Sequence, residues 1–336
     1  AHRVRFLWGV HEVHHASEHF GAAVLTIQNF VAALPASPLL TLSALPIILL
    51  LAKIEWVQFR GTDVFEVRDS TASIAMGSVY VLVAEGVMVV ALVLPAYEWL
   101  YQFRLFSLEL TLFNFLLLFL LVDFCFYLFH LAAHRVRFLW GVHEVHHASE
   151  HFNYTVAFRQ SVLYAFVGVY IFFIPAVMLG FTPESVLLML AANLIFQIFP
   201  HTQWFGRFPK PVEWVFNTPS NHRVHHGRNP CYVDRNMGGV LMVWDHLFGT
   251  YAVESPDEQV EYGVVSLINS APGFNPVKLT FREYTGMFKD ISRPGPLSCR
   301  LKHLWGPPEW ERPAIPPEAD QQNPGAESPR QVSHLS

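Results

Sequence analysis

The sequence predicts an all-α, multi-span membrane protein with a histidine-rich cap on its cytoplasmic side. Three observations carry that expectation. The 336 residues are 52% hydrophobic and 15% charged, with a mean hydropathy of +0.30, too apolar for an ordinary soluble globule. Runs without charge recur at the length of about 20 residues that a helix needs to cross the hydrocarbon core. The chain also holds 18 histidines, and most of them lie at the ends of those runs or just beyond.

Taken in order, residues 1–20 (AHRVRFLWGVHEVHHASEHF) repeat residues 133–152 letter for letter. A repeat architecture would show several diverged copies at a fixed period, so this single perfect copy reads as a recent partial duplication or an assembly fault, without function. Its His2, His11, His14 and His15 lack the preceding apolar helix and histidine pair that their twins have, and they are left out of the site. Residues 21–312 read as the membrane-embedded unit, with five spans expected at about 39–56, 72–96, 110–130, 161–181 and 185–201. The first is punctuated by Pro46. Only Glu85 and Asp123 place a charge well inside these runs. From Pro313 to 336 the chain is rich in Pro, Glu, Gln and Ser and reads as a disordered tail.

If all five runs cross, one side carries Lys53, Arg60, Arg68, Arg135, Arg137, Arg159, Arg207 and Lys210, whereas the other carries Arg104 alone. The positive-inside rule makes the basic side cytoplasmic. A net charge of -5 and the lack of any dense basic block give no reason to expect nucleic-acid binding. Cys125, Cys231 and Cys299 lie far apart, which indicates neither a disulfide framework nor a thiolate metal site.

The chemistry sits on the basic side. His130 and His134 (HLAAH) close the third run; His143, His146 and His147 (HEVHH) follow; His201 ends the fifth run; His222, His225 and His226 (HRVHH) come after it. Residues three and four apart share one face of a helix, so each cluster can chelate. Nine histidines exceed the needs of one ion, and two metals sharing the set is the economical reading. A lone His201 would more often be a capping residue, and one H-x-x-H-H a solvated basic face. Their concurrence on one membrane face argues for the site. Asp123, seven residues before His130, shares its helical face and is expected to orient a ligand imidazole. Gln197, one turn before His201, is expected to face the metals. Glu85 has no such alignment and reads as a packing residue.

Imidazole accepts iron, copper, nickel and zinc alike. Iron with open coordination positions can activate dioxygen against the unactivated C–H bonds of a lipid, which points to a lipid oxidase drawing substrate laterally from the bilayer. Two rivals compete. HEVHH satisfies H-E-x-x-H, with His143 and His147 as zinc ligands and Glu144 as base of a membrane metalloprotease, but the second cluster has Arg223 where the glutamate would be. A non-catalytic metal transporter would spread its histidines along the spans.

The ordered set HLAAH, HEVHH, His201 and HRVHH resembles the fatty acid hydroxylase/sterol desaturase superfamily over about Lys53 to Trp310. VRDSTASIAMG (67–77), NTPSNHRVHHGRNPCYVDRN (217–236), GGVLMVWDHLFGTY (238–251) and GPPEW (306–310) resemble its alkylglycerol monooxygenase branch. The resemblance implies a helical membrane protein with a di-iron cap, an O2-dependent hydroxylase or desaturase acting on a lipid, and the nine histidines as ligands. Asp234 and Asn236 are implied as supporting residues. Where the branch usually carries Tyr after DRN, this chain has Met237. The branch takes electrons from tetrahydropterin, and other branches from cytochrome b5 or ferredoxin-type partners. This chain shows no haem motif and no G-x-G-x-x-G after a strand, so an electron donor in trans is expected.

Overall fold

A computed structural model describes residues 38–265 and 274–311; the copied segment 1–20 and the tail 313–336 lie outside the described residues. The described chain is helical, with isolated bridges at Phe216–Leu241 and Gly227–Tyr262 and no strand among the described residues. Helix α1 covers Pro38–Gln58, α2 Val67–Tyr80 and α3 Leu94–Tyr101, with Val81–Val93 joining α2 to α3 as a wide π-type helix. The wider turn shows at its end, where Leu94 N donates to Val89 O five residues back. Helix α4 covers Leu112–Arg135 and α5 Arg137–His147.

Among the described residues two helical stretches, Val67–Tyr101 (35 residues) and Leu112–Arg135 (24 residues), are long and apolar enough to cross a bilayer. At 1.5 Å per residue the shorter reaches about 36 Å, more than the hydrocarbon core of about 30 Å. Leu82, Val87, Val90 and Leu92 on the first and Phe113, Leu116 and Leu120 on the second remain exposed, as lipid-facing side chains must.

The expected fourth span, 161–181, is not a single helix. It forms 3-10 turns at Val162–Phe166 and Val169–Phe173, then the short α6, Ile174–Leu179; with the 3-10 turn Tyr154–Phe158 that precedes it, the stretch bends by 90° between Tyr154–Phe166 and Val169–Leu179. Its β-branched and aromatic residues are weak helix formers. The side chains of Asn153 and Ser161 cap local turns, and Gly168 breaks the run in a left-handed conformation at φ +83°. If the bent pair is one span, the candidates number three.

The expected fifth span, 185–201, forms α7 over Pro183–Phe196, whose 14 residues extend only about 21 Å. Thr182 caps its start by accepting from Ser185 N, with Pro183 in the first turn. Pro200 has no N–H to offer Phe196 and its ring conflicts with that carbonyl, so the helix cannot continue to His201. Beyond it come α8 (Lys210–Val215), α9 (Pro219–His226), α10 (Val243–Phe248), α11 (Pro276–Ser292) and α12 (Leu297–Trp305).

The main core wraps α4, whose Leu118, Val122, Phe126, Phe129 and Ala133 pack with Val142 of α5, Phe173, and Val186 and Leu190 of α7. Buried polar ties bring the other elements to the end of α4 that carries the histidines. Arg159 pairs with Asp69 of α2 at 2.9 Å, reaches Ser73 Oγ at 3.1 Å and donates to Val145 O of α5 at 3.0 Å. Asp69 also accepts from Ser149 Oγ at 2.6 Å. Glu55 of α1 accepts from Thr202 Oγ1 and, at 2.9 Å, from Tyr154 N. Gly77 lets α2 approach closely, since a Cβ there would lie 2.1 Å from both the carbonyl oxygen and the ring of Phe158. The VRDSTASIAMG segment thus supplies the ion pair, the hydroxyl and the gap that seat α2 on the 145–159 region.

Asp69→Asn strips the buried Arg159 of its charge partner, and a loss of about 3–5 kcal/mol of stability is expected. Gly77→Ala must displace Phe158 backbone and is expected to lower the melting temperature of detergent-purified protein by several degrees or more. Wild-type melting temperatures in both variants would contradict this packing.

Candidate metal centre

The histidine motifs converge because the chain turns sharply between them. Val136, extended at φ -115° and ψ 111°, separates α4 from α5 and lets HLAAH and HEVHH face one another. Helix α9 is only 8 residues long and depends on its surroundings. Thr218 caps it by accepting from Asn221 N at 3.3 Å, and Asn221 Nδ2 donates to Glu213 O and Phe216 O at 2.8 and 3.0 Å. His201 follows the broken end of α7.

All nine candidate histidines are buried, and they form two adjacent groups. His130, His134, His143, His147 and His225 make one; His146, His201, His222 and His226 make the other, and within each group the potential ligand nitrogens lie within 4.8 Å of one another. Each H-x-x-H-H motif serves both groups. His143 and His147, four apart on α5, enter the first while His146 turns to the second; His222 and His226, four apart on α9, enter the second while His225 turns to the first. The rings of His147 and His226 stack across the divide with centroids 4.4 Å apart.

Tautomers can be assigned from the outward contacts. Nδ1 of His130, His146, His201 and His225 faces the carbonyl oxygen of Met237, Arg159, Gln197 and Arg235 at 2.8, 3.3, 2.5 and 3.0 Å. A carbonyl only accepts, so each Nδ1 donates and each Nε2 carries a bare lone pair. Yet His146 Nε2 and His201 Nε2 stand 3.2 Å apart, and His130 Nε2 lies 2.9 Å from His143 Nε2. His222 Nε2 is 3.0 Å from His201 Nε2, and Nε2 of His134, His225 and His226 is buried without a hydrogen-bond partner. Burial pushes His146, His147, His222, His225 and His226 far below the usual histidine range and His201 to about 4, with neighbouring imidazoles adding to the shift of the first five. Neutral rings with converging lone pairs repel unless a cation lies between them. Nitrogens about 2.1 Å from one ion and at right angles stand about 3 Å apart, so the donor set fits metal.

The other expected residues behave differently from one another. Asp234 accepts from His134 Nδ1 at 3.2 Å and meets Arg135 at 3.4 Å. Asn236 hydrogen-bonds backbone and no histidine among the described residues: it accepts from Ala252 N and donates to Asn221 O and Ala252 O. Both adopt left-handed backbone, φ 56° and 58°, which Asp and Asn tolerate better than other side-chain-bearing residues. Gln197 serves His201 through its backbone carbonyl, while its side chain donates to Asn193 at 2.7 Å. Asp123 does not orient an imidazole directly. It accepts from Asn193 Nδ2, Val240 N, Leu241 N and Trp244 Nε1 at 2.7–3.2 Å, tying down the loop that follows Met237. Helical register places Asp123 on the His130 face but not at the same depth.

Asp245, Arg159 and Tyr164 were not found by sequence reasoning. Asp245 accepts from Met237 N and Gly238 N, both at 2.7 Å, fixing the carbonyl that serves His130. Tyr164 Oη lies 2.7 Å from His143 Nδ1. Contacts of this kind, made through loops and between elements, leave no spacing signal. Met237 contributes its backbone, and its side chain is fully buried. Glu144 of H-E-x-x-H is ion-paired with Arg282 of α11, and Arg223 is held by Glu254 at 2.7 Å. The protease reading thereby loses its free base.

An apolar cavity meets both groups. It has an empty volume of about 1100 Å³, part of it open to the surroundings, and is walled by Phe126, Phe129, Phe173, Leu190 and Leu194, with His130, His143, His146, His201 and His222 exposed to it.

Residues 115–250 match the fatty acid hydroxylase family model. That segment is similar to the fatty acid hydroxylase family over less than half of the chain. It contains every one of the nine histidines. The chain is 44% identical to human alkylglycerol monooxygenase over 48% of its own length and 35% of the relative's. It is 39% identical to alkylglycerol monooxygenase of Danio rerio over 58% of this chain and 42% of that one. An ornithine lipid hydroxylase of Rhizobium tropici is 27% identical over 46% of each chain. The chain thus spans less than half the length of these curated relatives. No solved structure gives a significant match.

His225→Ala and His226→Ala are expected to deplete different positions, the first group and the second, each lowering bound metal by about one ion per chain while membrane insertion is unchanged. Metal analysis of detergent-purified protein decides this; full occupancy in either variant would contradict the grouping.

Proposed function

We propose that this chain is a membrane di-iron oxygenase that hydroxylates or desaturates a lipid, and the observation that carries the reading is the pair of buried, lone-pair-converging histidine groups opening onto an apolar cavity. His130, His134, His143, His147 and His225 hold one iron and His146, His201, His222 and His226 the other. Iron held by imidazoles with open positions supplies activation of dioxygen, the co-substrate that unactivated C–H bonds require.

The protein's own residues do the rest. Carbonyls of Met237, Arg159, Gln197 and Arg235 hold the rings in their ligating tautomers. Phe126, Phe129, Phe173, Leu190 and Leu194 line up a hydrocarbon chain beside the histidines and exclude water. The two apolar spans embed this cavity in a bilayer, from which the lipid enters laterally. The excess of Lys and Arg on the histidine side supports a multi-pass chain with its site at the cytoplasmic face, where a reductant in trans would deliver electrons: a tetrahydropterin, cytochrome b5 or a ferredoxin-type donor. The names of the relatives, alkylglycerol monooxygenase and ornithine lipid hydroxylase, both favour a lipid, with ether lipids and sterols the first to try. Residues 21–312 form the working unit, and the copied segment 1–20 contributes nothing to it.

Purified protein is expected to hold about two irons per chain and to consume oxygen when given reductant and one member of a panel of alkylglycerols, sterols and fatty acids. One zinc and no oxygen uptake with any reductant would overturn the proposal.

A further inference from the structure

Glu85 sits on the π-type segment within the Val67–Tyr101 span, is 7% exposed, and lines the same cavity as the histidines. Its hydrogen bonding is one-sided. Tyr80 Oη and Tyr170 Oη donate to the same oxygen, Oε1, at 2.6 and 3.0 Å, while Oε2 has no protein hydrogen bond among the described residues. Asp123 and Glu55, two other buried carboxylates, engage both of their oxygens. Asp123 uses both oxygens on four donors, and Glu55 one oxygen on Thr202 and the other on Tyr154 N. A carboxyl that served packing alone would be satisfied in the same way, because an unpaired polar atom away from water is costly. The surrounding groups are held in place: Tyr97 Oη donates to Tyr170 O at 2.6 Å, and Tyr80 packs edge-on against Tyr164, which in turn touches His143.

We propose that Glu85, steadied by Tyr80 and Tyr170, is a polar subsite of the cavity that hydrogen-bonds a hydroxyl group of the bound lipid. A hydroxyl both donates and accepts, so it satisfies Oε2 whether the carboxyl is ionised or protonated. The subsite would set which carbon of the chain comes to rest beside the histidines, two aromatic rings away along Tyr80 and Tyr164. This rests on the reading that a lipid occupies the cavity, and it adds that the lipid carries a hydroxyl.

The test uses the full chain, purified with its metal in detergent, with radiolabelled 1-hexadecanol as probe and unlabelled 1-hexadecanol or hexadecane as competitors. The wild-type protein is expected to prefer the alcohol by about tenfold. Glu85→Leu should bring that ratio close to one with hexadecane binding unchanged, and Glu85→Gln, whose amide donates and accepts, should keep most of it. Infrared difference spectra give a second readout that needs only the wild type and Glu85→Gln: the alcohol, and not hexadecane, should shift a carboxyl band that Glu85→Gln lacks. No preference in the wild type, a preference that survives Glu85→Leu, or a band that persists in Glu85→Gln would overturn the subsite. A protein without iron that still shows the Glu85-dependent preference would overturn the oxygenase and leave the subsite standing.

Discussion

Nine imidazoles packed so that their lone pairs meet within 4.8 Å in two groups form the arrangement on which the rest of this structure depends. Uncharged rings do not choose such contacts. Burial lowers the proton affinity of His143, His146 and His147, and a cation is what remains to hold the nitrogens together. They arrive on four segments, α4, α5, the turn after α7 and α9, and of these α4 alone, with 24 residues, is a long helix.

Their positions are imposed from outside the cluster. Asp123 and Asp245 clamp the 237–245 loop, and that loop presents the carbonyl that fixes His130. The Arg159–Asp69 pair seats α5 on α2, and the Arg159 carbonyl serves His146. A single polar layer therefore both ties the helices together and sets ring tautomers. Burying so many polar atoms is tolerable because most are saturated by hydrogen bonds. Side chains held in this way would need little reorganisation to take up a metal.

The matched family segment, 115–250, holds the histidines, but the walls around them extend beyond it. Glu55, Asp69, Gly77 and Glu85 all precede it, and three of them fasten α1 and α2 against the histidine-bearing turns. The cavity is thus a joint product of the matched domain and the helices before it. Residues outside the matched segment therefore shape the cavity beside the histidines.

Much was legible in the residues themselves. Helical class, the runs now seen at Val67–Tyr101 and Leu112–Arg135, and the nine histidines as one constellation follow from apolar run length and from i, i+3 and i+4 spacing, which are local properties. The bend at Gly168 and the early end of α7 were harder, because apolar composition alone does not distinguish a straight span from a broken one. Tertiary structure alone decided which histidine joins which group, that Asp123 braces a loop and not a ring, that Gln197 acts through its carbonyl, and that Glu85 faces the cavity. Those outcomes depend on contacts between residues up to about a hundred and twenty positions apart. Sequence spacing specifies the face of a helix on which a side chain lies; only the packing of one helix against another specifies what that face meets.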